Sequence, residues 1–197
     1  MSLVLASASP SRAAMLRAAG LEFDIRPAQI DEAEIRLALQ AEGAPPREAA
    51  EALAELKARR VSQPGDRDFV IAADQLLVCD GHWHEKPADM AAARTQLLAL
   101  RGKTHELVSA VVVSRGGGAI WRHVDTARLT MRDFSDGFLD AYLSQAGDAI
   151  LAAVGAYQLE GLGVQLFSRI QGDHFTIRGL PLLPLLDMLR ANQVLRA

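Results

Sequence analysis

The chain has 197 residues, half of them apolar and 23% charged, with a formal net charge of −3 and a pI near 5.9. That length can bury a proper core, as one domain or two small, closely packed lobes, and the acidic balance excludes the broad basic surface that a nucleic acid polymer needs. A single cysteine, Cys79, rules out an intrachain disulfide and a multi-cysteine metal site; with no signal-peptide pattern and no membrane-length apolar run, the cytoplasm is expected and a membrane partner is not.

In chain order, Leu3-Val4-Leu5-Ala6 is expected to form a short buried strand. It runs into Ser7-Ala8-Ser9-Pro10-Ser11-Arg12, where Ser9 can cap a helix over residues 10–19 with Pro10 at its first position and Gly20 beyond its end. Two hydroxyls, open backbone N–H groups and a guanidinium at a strand-to-helix turn suit an anion, although a well-capped helix alone would look the same. Residues 21–26 read as a second strand and 33–40 as a weak helix, and Pro45-Pro46 feeds a helix of about four turns over 46–61. On that helix Ala50, Leu53, Ala54 and Val61 share one face and Glu48, Glu51, Glu55 and Arg59 the other. Lys57 falls inside the apolar stripe, either snorkelling to water or aimed into an anionic pocket.

Residues 69–79 are the most strand-like run, apolar enough for a strand buried on both faces, yet Asp74 and Gln75 interrupt it. A buried carboxylate is costly unless paired, protonated or metal-bound, so mid-strand placement favours a functional Asp74. Asp80-Gly81 turns into an edge strand, His82-Trp83-His84, whose histidines read as surface residues. Lys86 then stands extended before Pro87. Asp89 caps a helix over 90–100. Strands over 105–114 and 120–131, joined through Gly116-Gly117-Gly118, alternate with period two and predict an antiparallel ribbon with one face half-buried. Ser135 caps a helix ending near Gly147. Residues 154–163 form a glycine-spaced loop, and short strands are expected at 166–171 and 174–177. Gly179-Leu180-Pro181 opens a final amphipathic helix through residue 190. No internal repeat occurs, and no P-loop, dinucleotide-binding or zinc-protease pattern.

The misplaced polar residues form one set: cations Arg12, Lys57 and Lys86, carboxylates Glu32 and Asp74, and hydroxyls Ser7 and Ser9. Cations that cradle phosphates, beside carboxylates that can hold a divalent metal or a water, are what phosphoanhydride hydrolysis needs. Leu5 to Arg12, Ile30-Asp31-Glu32, residues 53–58 (Leu-Ala-Glu-Leu-Lys-Ala), Ala72-Ala73-Asp74, Glu85-Lys86-Pro87, Gly155-Ala156-Tyr157 with Glu160-Gly161-Leu162-Gly163, and Gly179-Leu180-Pro181-Leu182 follow one another in register. In these motifs, over nearly its whole length, the chain resembles the Maf family of nucleoside triphosphate pyrophosphatases.

The resemblance implies an α/β fold like that of the inosine triphosphate pyrophosphatases, with a long twisted mixed sheet flanked by helices and a cleft between two lobes of a single domain. It implies hydrolysis of a nucleoside triphosphate to the monophosphate and pyrophosphate with Mg²⁺ or Mn²⁺. Asp74 would be the water-activating base or a metal ligand, and Glu32 a metal ligand or second base. Arg12, Lys57 and Lys86 would bind phosphates, supported by Ser7 and Ser9. For base recognition, Gln75 and Glu160 match the branch associated with 7-methylguanosine triphosphate, where the thymidine and uridine triphosphate branch has Thr and Gln. A carboxylate suits guanine, whose N1–H and N2–H₂ donors it can accept together. Ser11 departs from both branches, standing where one carries Trp and the other Arg. Rival expectations are action on dTTP and UTP or on non-standard nucleotides, and a nucleotide-binding role in septum formation. A homodimer would fit the family.

Overall fold

A computed structural model describes residues 2–196. Its strands are β1 (Leu3–Leu5), β2 (Asp24–Ile25), β3 (Phe69–Cys79), β4 (His82–His84), β5 (Thr104–Arg115), β6 (Gly118–Met131) and β7 (Phe167–Gln171). Its helices are α1 (Pro10–Ala18), α2 (Glu32–Ala41), α3 (Pro46–Val61), α4 (Met90–Leu100), α5 (Asp136–Ala146), α6 (His174–Ile177) and α7 (Leu182–Ala191). The seven strands form one mixed sheet in the order β2-β1-β3-β5-β6-β7, with β4 also paired to β3. Pairing is parallel for β1 with β2 and with β3, and antiparallel for β3 with β4 and for β6 with β7. The α/β class with a mixed, helix-flanked sheet is therefore as expected.

The chain divides into two compact units. The first comprises Met1–Gln75, Val108–Asp125 and His174–Ala197, the second Leu76–Leu107 and Thr126–Asp173. In the first unit, strand alternation sorts residues to two faces. Leu3 and Leu5 of β1, Phe69, Ile71 and Ala73 of β3, and Val111 and Val113 of β5 pack with Met15 and Leu16 of α1 and Leu185 and Leu189 of α7. Val4, Val70 and Ala72 alternate with them and are equally buried. The second unit buries Leu97 and Leu100 of α4, Leu129 and Met131 of β6, and Leu139 and Tyr142 of α5. A register shift at Thr130/Met131 marks the pairing of β6 with β7.

Local signals place most boundaries. Ser9, Asp31, Asp89 and Ser135 each accept a backbone N–H at the start of a helix. Asp80 and Gly81 take φ of 51° and 79°, the double positive φ that a two-residue hairpin turn demands.

Three expectations are corrected. The strand expected over 21–26 shrinks to Asp24–Ile25. Ser109, Ala110 and residues 111–114 of β5 are all buried, so β5 is covered on both faces rather than half-buried. Residues 174–177, expected as a strand, form the single helical turn α6. There the β propensity of Thr176 and Ile177 yields to tertiary bonds, since the carbonyls of both accept from the Gln75 amide.

Candidate active site

Because β3 alternates, its neighbours Asp74 and Gln75 face opposite sides of the sheet. Asp74 lies on the face of Val70 and Ala72, where it meets Lys57 from α3. The Lys57 ammonium sits 2.7 Å from Asp74 Oδ1 and 2.7 Å from Glu32 Oε2. Lys57 is buried together with Leu53, Ala54 and Ala58 of the same helix, so it does not snorkel. Arg36 completes the cluster: its Nη2 is 3.3 Å from each Asp74 oxygen and 3.7 Å from Glu32 Oε2. Glu32 and Arg36 are four residues apart on α2 and so share one helix face.

Two cations and two carboxylates thus balance one another, with unequal access to water. The Asp74 side chain is 2% exposed and that of Glu32 42%. Asp74 has both oxygens committed to cations, whereas the contacts of Glu32 run through Oε2 alone. The Nε of Arg36 is buried without a hydrogen-bond partner, a desolvation cost of the kind found where a side chain is held for a ligand or a charge.

A second cluster stands at the turn from β1 into α1. Arg12 Nε donates to the Gly179 carbonyl at 2.8 Å and Nη1 to Ser7 Oγ at 3.2 Å. Ser7 Oγ also accepts from the Ser9 N–H, and Ser9 Oγ accepts from the Arg12 N–H as the helix cap. Burial lowers the Arg12 pKa, against the upward pull of Asp74 and Glu32, and Arg36 adds to the lowering. Arginine nonetheless stays charged in proteins, so the desolvated guanidinium seeks an anion. The field of Asp74 and Glu32 at Arg12 links the two clusters.

The first unit therefore brings together Ser7, Ser9, Arg12, Glu32, Lys57 and Asp74. Ser11 lies half-buried in the first turn of α1. Gln75 faces away from Asp74 and gives its side-chain nitrogen to Ser109 Oγ and to the carbonyls of Thr176 and Ile177. Lys86 and Glu160 belong to the second unit and are exposed, the first just after β4 and the second just before a 3-10 turn at Leu162–Leu166. Arg36 escaped the sequence reading. Its signal was an acid–base pair at i,i+4 with Glu32, on a helix that buries no residue and so shows little burial pattern.

No group of three or more His, Cys, Asp or Glu side chains is arranged to hold a metal among the described residues. Glu32 and Asp74 are instead a two-carboxylate set converging on one ammonium. Of their four oxygens only Glu32 Oε1 makes no cation contact among the described residues, so Mg²⁺ or Mn²⁺, hard cations that take oxygen ligands, would be held first at Glu32 and would share Asp74 with Lys57 and Arg36, water and substrate phosphate filling the other positions.

Residues 2–192 match the family described as Maf-like protein. A nucleoside triphosphate pyrophosphatase of Paramagnetospirillum magneticum is 56% identical over 96% of this chain and 97% of its own length. One of Granulibacter bethesdensis is 51% identical over 99% of each. A protein of Brucella abortus biovar 1 named 7-methyl-GTP pyrophosphatase is 51% identical over 97% of this chain and 96% of its own length.

Proposed function

The chain belongs to the Maf-like protein family, and from that premise we propose that it is a nucleoside triphosphate pyrophosphatase acting on a guanine nucleotide, with 7-methylguanosine triphosphate preferred. The observation that carries the reaction is the Asp74–Lys57–Glu32–Arg36 cluster with Arg12 beside it. Water attacks the α-phosphorus, the bond from that phosphorus to the α,β-bridging oxygen breaks, and pyrophosphate leaves from the monophosphate. Arg12 and Lys57 bind phosphate oxygens and offset the charge that moves onto the leaving group. Glu32, the carboxylate that water reaches, takes the proton of the attacking water, and Asp74 holds Lys57 and Arg36 in place.

Glu32 and Asp74 are also the residues that would hold a divalent cation, which when bound supplies positive charge to the phosphates. Charge balance favours that requirement. Lys57 and Arg36 cancel against Asp74 and Glu32, and Arg12 adds a single positive charge, well short of the negative charge of a triphosphate, so a divalent cation would supply more. For the base, Glu160 offers a carboxylate to the N1–H and N2–H₂ edge of guanine, and 7-methylation adds a positive charge that favours it. The relative named for 7-methyl-GTP supports that preference.

A nucleotide panel with Mg²⁺ or Mn²⁺, read as pyrophosphate and monophosphate formed, tests the proposal. 7-Methylguanosine triphosphate should outcompete dTTP and UTP, and Glu160→Gln should narrow the gap. Equal rates on all three would sink the base assignment. Nucleotide binding without pyrophosphate release would overturn the enzyme itself.

A further inference from the structure

Glu160 is the third residue of a four-residue turn, closed where the Gly161 N–H donates to the Gln158 carbonyl at 3.2 Å. The Val164 N–H then donates to the Gly161 carbonyl at 3.2 Å. Gly163 is buried so tightly against Gln158 that a Cβ there would overlap the Gln158 carbonyl oxygen. Residues 158–163 therefore form one compact piece, and Glu160 goes where the root of that piece is held. Packing does not fix the piece on every side. Toward α5, Gln158, Leu162 and Gly163 border a cavity of about 200 Å³ that Tyr142 and Gln145 line from the helix.

Two buried hydroxyls hold the root instead. Tyr157, 4% exposed, places its Oη 2.7 Å from Nε2 of His105 on β5, itself 1% exposed. Its ring stands edge-on to Phe167, with 4.8 Å between the centroids. Tyr142 of α5 donates its hydroxyl to the Ala156 carbonyl at 3.0 Å. Between these anchors Ala156 takes φ of 56°, left-handed backbone that a residue with a side chain keeps only where its surroundings impose it. A Cβ on Gly155 would stand 2.5 Å from the Tyr157 ring, so only glycine lets the ring lie where His105 can reach it. The arrangement is kept at a cost, since His105 Nδ1 is buried with no hydrogen-bond partner among the described residues.

We propose that Tyr157 and Tyr142 are positioning residues for base selection, their hydroxyls setting where the 158–163 turn presents the Glu160 carboxylate. The inference rests on Glu160 reading the base, as proposed above. A carboxylate that accepts N1–H and N2–H₂ of guanine together needs both oxygens in register with the base, so a shifted turn loses the pair. Thymine offers a single N–H between two carbonyls and makes no such pair. Tyr157→Phe and Tyr142→Phe each delete one hydroxyl and keep the ring, and either carries the test if the other does not fold. KM and kcat for 7-methylguanosine triphosphate and dTTP are measured with Mg²⁺, beside the melting temperature. Each variant should lower the ratio of kcat/KM for the first nucleotide over the second about three- to tenfold, the range of one lost hydrogen bond. The loss should fall on KM for 7-methylguanosine triphosphate, with the dTTP constants held to about twofold. In a Glu160→Ala background the same substitutions should leave the ratio unchanged, because nothing remains to be aimed. A lowered melting temperature with the ratio intact, or an equal loss on both nucleotides, would make the hydroxyls scaffolding and overturn the proposal. A ratio that falls as far without Glu160 as with it would overturn it too. Glu160→Ala alone separates the premise: if that variant keeps the wild-type ratio, the base reading fails, and the role of the two tyrosines falls with it.

Discussion

Replacing Lys57 by Met keeps the buried stem and deletes the ammonium. Glu32, 42% exposed, can turn to water at little cost. Asp74, 2% exposed, cannot, and it keeps only Arg36 at 3.3 Å. Removing one partner of a buried pair costs about 3–5 kcal/mol, and the retained arginine places this case near the lower end, about 3 kcal/mol. For a chain of this size each kcal/mol is worth roughly 2–4 °C, so the melting temperature should fall by roughly 6–12 °C. The double variant Lys57→Met/Asp74→Leu removes both charges and fills their place with apolar groups, which is often neutral or stabilising. Urea unfolding of wild type, both single variants and the double, with pyrophosphate release measured on each, completes a cycle. The double should recover at least half of the loss caused by Lys57→Met while pyrophosphate release stays abolished. A Lys57→Met cost below about 1 kcal/mol, or a double whose loss is the sum of the two singles, would refute the account of a buried pair kept for function.

Arg36→Gln withdraws the second cation from Asp74 and should lower kcat/KM about tenfold, with a stability loss of about 1–3 kcal/mol, the scale of a hydrogen bond to a charged group; undiminished kcat/KM would show that Lys57 alone organises the carboxylates. In the second unit, burial pulls His105 down to about 4, with the charge of His84 adding to the effect, and its Nε2 lies 2.7 Å from Tyr157 Oη. Between the ordinary value of 6.5 and about 4 the unfolded chain takes up a proton that the folded chain refuses. Stability is therefore complete above pH 6.5 and falls by about 3 kcal/mol as pH drops to 4. His105→Gln cannot titrate in this range, so urea unfolding at a series of pH values should show that component of the slope gone; an unchanged slope would refute it.

The fold was legible wherever its determinants are local. The helix boundaries 46–61 and 90–100 and the strand 69–79 match the expectations residue for residue, because prolines, an aspartate cap and an unbroken apolar run mark them. Residues 174–177 failed for the opposite reason. Gly172, at φ of +129°, breaks the chain from β7, and the carbonyls that a strand would pair are taken by a side chain about a hundred residues away in sequence. β5 failed because period-two alternation reports the chemistry of side chains and not what covers them.

Lys57 and Asp74 were legible singly, since each puts a charge where the pattern calls for an apolar group. Their partnership needed the sheet, which turns one face of β3 toward α3. Arg36 could not be found by the same logic: α2 buries none of its residues, so no burial pattern is there for it to violate. Gln75 was read for the base through the resemblance to one branch of the family, and strand alternation gives it surroundings separate from those of Asp74. Asp74 accepts from Lys57, and Gln75 donates to the carbonyls of Thr176 and Ile177, close in sequence to the Gly179 carbonyl that receives Arg12. Each half of this polar pair inside an otherwise apolar central strand thus has its own partners, which makes the interruption at positions 74 and 75, not the histidines of β4, the feature from which the site should be traced.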